Sequence, residues 1–192
     1  MAITVHQIGT PGSSGGSSAT TGGATSVGGS GNIGVVVTGF DPGVTITTVV
    51  DNKSNTFTLK GSVQNDGSEG KLAVYECVNW AGGAGHTVTV SYSGTAFPTV
   101  HLLEVRGAAT SSPADKDSSE TDTAQPCSLD LAALAQANEA VLIACACNEI
   151  AGTTNGYAFS PGTLVSEEPD VNNFWTSGVA YVITSATTAA TY

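Results

Sequence analysis

Hydrophobic and polar residues alternate in short runs along this chain. Over residues 86–92 (HTVTVSY), Val88, Val90 and Tyr92 share one side of an extended backbone, while Thr87, Thr89 and Ser91 share the other. That period of two is the mark of a half-buried strand. Residues 2–8 (AITVHQI) alternate in the same way, with Ile3, Val5 and Gln7 on one side. From Asn32 onward, strand signals return at 33–38, 44–50, 55–59, 71–78, 86–92, 100–106, 139–147 and 179–184. Gly, Asn, Asp or Pro separates nearly every pair, and roughly eight short strands so punctuated predict an all-β fold. The architecture expected is a single antiparallel β-sandwich of jelly-roll-like kind. The runs at 100–106 and 139–147 are apolar on both faces and read as central or covered strands.

Two stretches break this rhythm. Residues 129–138 (LDLAALAQAN) have helix-forming composition with Ser128 as the N-cap, and predict one or two helical turns. Residues 9–31 are rich in Gly and Ser and read as a flexible arm, because such a composition buries too little apolar surface to offset its ordering entropy. Within it, Ala24 to Val27 is the segment able to pair as an edge strand. The organisation expected is an N-terminal strand and arm over 1–31, then a sandwich domain over 32–192. A polar loop at 107–126 is long for a compact domain, and loops of that length tend to be functional or mobile.

Composition supports this reading and narrows the partners. At 192 residues and 19.1 kDa the chain fits one domain. Gly, Ser, Thr, Ala and Val dominate, and β-branched residues suit a pleated surface. Sixteen acidic residues against five basic ones give a net charge of −11. A phosphate backbone or an anionic membrane surface would be repelled, so neither nucleic acid nor membrane is an expected partner. No apolar run approaches the roughly 18 residues that a spanning helix needs. The opening MAITVHQIG has no basic segment, apolar stretch or cleavage site of a secretory leader, which suggests synthesis in the cytoplasm.

Candidate chemistry is sparse. Gly29, Gly31 and Gly34 spell G-x-G-x-x-G, but a β-branched run follows them in place of the helix that would face a pyrophosphate. Ser13 sits in a G-x-S-x-G match without the strand–turn–helix of a nucleophile elbow. His6, His86 and His101 all fall in predicted strands, outside any metal-binding spacing. Cys77, Cys127, Cys145 and Cys147 lack paired C-x-x-C turns and read as reduced thiols packed as small apolar residues. Two acidic clusters, Asp115/Asp117/Glu120/Asp122 and Glu167/Glu168/Asp170, carry the oxygen ligands that Ca²⁺ prefers, without a recognised calcium-loop pattern. No catalytic residue, cofactor site or metal site is assigned. Trp80 and Trp175, each near Asn and at a strand end, are the two rings that could form a glycan-stacking platform; the plainer reading is a ring closing one end of the core.

The segments 49–59 (VVDNKSNTFTL), 71–79 (KLAVYECVN), 86–93 (HTVTVSYS) and 101–109 (HLLEVRGAA) together carry a resemblance. The chain resembles a β-sandwich domain found in phage structural proteins and bacterial surface proteins, in which a "V-x-D-x-x-G-N-T-[YF]" hairpin precedes a "YY" strand, a "TVTVxFS" strand and an "xxExSG" strand. The likeness runs from about Val44 to the end of the chain. It departs at Ser54, where a turn Gly is usual, and at Arg106, where Ser is usual. It also departs in ending at Tyr192, one strand short of the pattern. The resemblance implies an adhesion or assembly module without shared catalytic residues.

These observations lead to an expectation of a non-enzymatic bacteriophage virion protein, specifically a capsid decoration protein on the head surface. It would be made in the host cytoplasm and carried on the virion. Its partners would be the major capsid protein or other virion proteins, and copies of itself, with a trimer as one arrangement. The alternative is a carbohydrate-binding or adhesion module of a tail fibre or cell surface, using Trp80 or Trp175. A glycan hydrolase or esterase ranks third.

Overall fold

The computed structural model describes residues 2–23, 31–65, 67, 70–111, 113, 115–119, 121, 128–135, 138–148, 157–172, 175–185, 187 and 189–192. The fold is all-β, with several antiparallel sheets. Its strands are β1 (Thr4–Gln7), β2 (Gly12–Ser13), β3 (Ser18–Thr20), β4 (Asn32–Phe40), β5 (Ile46–Asp51), β6 (Thr58–Asn65) and β7 (Lys71–Trp80). They continue as β8 (Val88–Tyr92), β9 (Thr99–Arg106), β10 (Asp130–Leu131), β11 (Glu139–Asn148), β12 (Thr163–Pro169), β13 (Trp175–Thr184) and β14 (Ala190–Thr191).

The central sheet runs β1-β9-β4-β7-β6, with β2 continuing the β1 edge along β9. Alternation along β4 explains why it lies at the middle. Its NIGVVVTGF run sends Val36 and Phe40 to one face and Ile33, Val35 and Val37 to the other, and every residue after Asn32 is buried. On the first face, Val36, Phe40, Val100 and Leu102 pack against Val88, Val90 and Tyr92 of the β3-β8-β5 sheet. On the second, Val35, Val37, Leu103 and Val105 pack against Val179 and the partly buried Leu142 and Val165 of the β11-β13-β12 sheet. Each fully buried Val or Leu contributes about 1.5–3 kcal/mol relative to exposure. Among the described residues the central sheet is therefore packed against a further sheet on each face, where a single sandwich needs only one facing pair. The reason is visible in β9, which is buried over all of Thr99–Val105 because both its faces are covered.

A third cluster closes the outer side of the β11-β13-β12 sheet. Val141 and Ile143 meet Leu131 and Leu134, with Phe159, Val182 and Tyr192 packed around them. This corrects the helix expected over 129–138. Asp130 and Leu131 instead pair with Thr191 and Ala190, and Leu129 exchanges both backbone hydrogen bonds with Tyr192. Helical composition there is overridden by the C-terminal segment, which supplies a strand partner.

The Gly/Ser-rich stretch is built into two of the sheets as far as Thr20. β2 pairs with β9 through Gly12 and Ser13, and β3 pairs with β8 through Ser18, Ala19 and Thr20. Gly12 permits this crossing, since a Cβ there would lie 2.2 Å from the Thr20 carbonyl oxygen. The edge strand expected at Ala24 to Val27 lies outside the described residues.

Candidate functional site

One group of residues able to do chemistry forms around Asp51, His86 and Trp80, beside the core between the central and β3-β8-β5 sheets. β5 ends on Asp51, whose Oδ1 accepts the backbone N–H groups of Lys53 (3.1 Å) and Asn55 (2.9 Å). This is the local turn that an Asp favours, because its side chain mimics a backbone acceptor. The other carboxylate oxygen meets His86 Nε2 at 2.8 Å and also accepts from the Asn55 carboxamide. Burial alone would raise the Asp51 pKa, but the hydrogen bonds from Asn55, His86 and the Lys53 N–H outweigh it and hold the carboxyl below its ordinary value.

The turn is stitched to the loop that follows β7. Asn55 accepts the Ala81 N–H (2.6 Å) and donates to the Ala81 carbonyl (3.2 Å). Asn52 donates to the Gly85 carbonyl (2.7 Å) and accepts the Thr87 N–H (3.2 Å), while Lys53 Nζ donates to the Ala84 carbonyl (3.1 Å). His86 is held between Asp51 and the face of Trp80, with ring centroids 4.6 Å apart.

Trp80 carries the network onward. Its Nε1 donates to Glu104 Oε1 (3.3 Å), which also accepts from Asn32 Nδ2 (2.6 Å), and the second Glu104 oxygen pairs with Arg106 Nε at 2.7 Å. Glu104 is wholly buried, and these partners engage both of its carboxylate oxygens. The result is a continuous polar chain from Asn55 through Asp51, His86, Trp80 and Glu104 to Arg106.

An Asp–His pair is the base-orienting half of a nucleophilic triad. Here the imidazole is fully buried and its Nδ1 has no hydrogen-bond partner among the described residues. Chemistry on a substrate would require access to that nitrogen, and the ring has no exposed surface. What the arrangement does is pin two loops and the end of the central sheet together.

A second network lies between the central and outer sheets. His101, also wholly buried, contacts Ser166 Oγ through Nδ1 (2.6 Å) and Ser177 Oγ through Nε2 (2.7 Å), and Ser177 is bonded to Thr99 (2.5 Å). Burial lowers the His101 pKa from its ordinary 6.5 to about 4, so the ring is neutral near pH 7. The pairing brings a histidine and a serine together as in a nucleophile–base couple, again with no exposed surface. His6 is on the surface, bonded to Thr4.

Both tryptophans singled out for glycan stacking are core residues here. Trp80 is 0% exposed and Trp175 6%. Each ring lies over a glycine of β4: a Cβ at Gly34 would be 2.5 Å from Trp80 Cε3, and one at Gly39 would be 2.1 Å from Trp175 Cζ3. A sugar ring needs an open aromatic face, which neither residue offers in this conformation.

The acidic clusters separate. Glu168 accepts from Ser13 (2.8 Å), which lies within the G-x-S-x-G match, and Asp170 caps the backbone at Asn172 and Trp175. Burial, then the nearby Asp170 charge, raises the pKa of Asp41. In the other cluster Asp115 ties the loop to the Ala135 N–H, while Glu120 and Asp122 lie outside the described residues. Among the described residues no three His, Cys, Asp or Glu side chains converge as metal ligands. Cys77 is a buried free thiol, and Cys145 is half-buried with its Sγ donating to the Gly178 carbonyl (3.7 Å); Cys127 and the Cys147 side chain lie outside the description.

Sequence reasoning did not single out Asp51, Asn55, Asn32, Glu104, Ser166 or Ser177. Two signals were available: the Asp-Asn-Lys-Ser-Asn turn, and a glutamate inside the apolar run HLLEVR. No family model matches the chain, and neither a curated protein nor a solved structure is significantly similar to it.

Proposed function

We propose that this protein is a non-enzymatic structural module that works by presenting its surface to other proteins, as a bacteriophage virion protein of the capsid-decoration kind. The observation that carries this reading is the use made of the residues behind the resemblance. Asp51, Asn55, His86 and Glu104, which belong to the resembling segments, are spent on holding loops and sheets together. In an enzyme or a glycan-binding module, the distinctive polar residues would line an open site. Within this reading, the central sheet and the β3-β8-β5 sheet facing it form the jelly-roll-like sandwich, and the β11-β13-β12 sheet is an added third layer.

The partner favoured is a neutral or basic protein surface, such as that of a major capsid protein, since a net charge of −11 disfavours acidic ones. Self-association, for instance as a trimer around a shell symmetry axis, fits the same role. Hydrogen–deuterium exchange on the free chain and on the chain bound to phage heads tests it. Protection of a contiguous surface on binding is the expected result. Identical exchange in both samples would overturn the reading.

A further inference from the structure

The sheets divide along the sequence. The central sheet and the β3-β8-β5 sheet are built wholly from β1 to β9, which end at Arg106, while the β11-β13-β12 and β10-β14 sheets use only strands from Asp130 onward. Every backbone pairing among the described residues stays within one group or the other. The first group is a sandwich in its own right, with Val36, Phe40, Val88, Val90 and Leu102 buried between its two sheets. The second is a cover laid on the other face of the central sheet, and residues 107–129 join the two.

The cover is held less firmly than the sandwich. Val179 and Trp175 are buried against the central sheet, but Ala140, Leu142, Val165 and Tyr181 are only partly buried there. Beside them runs a polar seam, in which His101 meets Ser166 and Ser177, Ser177 meets Thr99, and Ser13 meets Glu168. His101 and both of its serine partners are buried. A part fixed by fewer buried apolar contacts opens at a lower free energy than the whole unfolds.

Protonation acts on the seam through hydrogen-bond bookkeeping. A neutral imidazole has one donor and one acceptor nitrogen, so one serine accepts from His101 and the other donates to it. A proton on the ring makes both nitrogens donors. The donating hydroxyl must then turn to another acceptor, and a charge sits where water does not reach. The ionisable groups along this seam are Glu168, Asp170 and Tyr181 from the cover and Asp41 from the end of β4; Glu168 is bonded to Ser13, and the partners of His101 among the described residues are hydroxyls. We propose that the C-terminal part, residues 130–192, opens from the sandwich as a unit when His101 is protonated, baring the face of the central sheet that carries Val35, Val37, Leu103 and Val105. The inference rests on the layered fold and is independent of the assembly role.

The test is native-state deuterium exchange of the full chain at intervals from pH 7 to pH 4, corrected for the intrinsic exchange rates. With His101 titrating at about 4 in the closed form and near its ordinary 6.5 in the open one, the opening constant rises about a hundredfold across this range. The amides of β11 and β13 are expected to lose protection by that factor while those of β4 and β8 keep theirs. His101→Gln should hold β11 and β13 protected at pH 4, and Glu168→Gln, which leaves the imidazole in place, should respond as the wild type does. The proposal is overturned if β4 and β8 lose protection together with β11 and β13, or if β11 and β13 do not respond to pH. It is equally overturned if folded His101→Gln opens like the wild type, or if Glu168→Gln abolishes the response.

Discussion

The Trp80 indole and the His86 imidazole lie face to face, 4.6 Å apart and 22° from parallel, with no exposed surface on either residue. Through this stack, a hydrogen-bonded loop pair built around Asp51 is joined to the buried Glu104 of the central sheet. Packing has made a structural part out of two residue types that usually attract a functional interpretation. An imidazole bonded to a carboxylate and covered by an indole is positioned rather than poised to react.

Removing one end of this arrangement should be costly. Asp51→Ala leaves the Lys53 and Asn55 N–H groups and His86 without their acceptor, and is expected to lower the unfolding free energy by about 3 kcal/mol. His86→Ala should cost a similar amount, and the double variant clearly less than the sum, because both singles break one network. Urea unfolding of the four proteins measures this coupling.

The second histidine makes the fold sensitive to acid. His101 has a folded pKa of about 4 against an ordinary 6.5, so between these values the unfolded chain binds more protons than the native one. Stability therefore rises with pH across that window and falls as pH drops from about 6.5 to 4, by on the order of 3 kcal/mol. His101→Gln should flatten this part of the profile, whatever its effect at pH 7. Urea midpoints at intervals from pH 4 to 7 provide the comparison.

Gly39 has no room for a side chain beneath Trp175. Gly39→Ala is expected to destabilise by about 1–3 kcal/mol, the usual penalty for overpacking a filled core. Combining it with Trp175→Phe should recover part of that loss, since the smaller ring vacates the space. Thermal melts of the single and double variants distinguish this from a general effect of the glycine.

Much of the fold was legible because alternation reports burial directly. The runs at 33–38, 71–78, 100–106 and 139–147 became β4, β7, β9 and β11, and the two-sided apolarity of 100–106 and 139–147 reflected cover on both faces of β9 and β11. β12 was not read, because Ser166, Glu167 and Glu168 look like a solvated loop. In the structure Ser166 turns inward to His101, and Glu168 is occupied by Ser13. The third layer was illegible for a related reason: strand pattern shows that a face is covered, not which sheet covers it. The Asp51–His86 contact spans 35 positions, a pairing that only the register of β5 against β8 creates.

Ser54 accounts for one departure from the resembling pattern. The turn needs a positive φ, here 62°, at the position where that pattern has glycine. Ser54→Gly is expected to stabilise the protein by about 0.5 kcal/mol, the relief of a left-handed residue less the added freedom of the unfolded chain. A rise of about 1–2 °C in the melting temperature would bear this out.

The proposal that the protein acts by joining a virion is tested most directly by co-sedimentation with phage heads that lack it. Saturable binding at a fixed number of copies per head, retained by His86 and His101 variants that still fold, is the predicted result. Failure to bind the heads, together with turnover of a glycan or ester substrate that the His86 or His101 variant abolishes, would contradict the account.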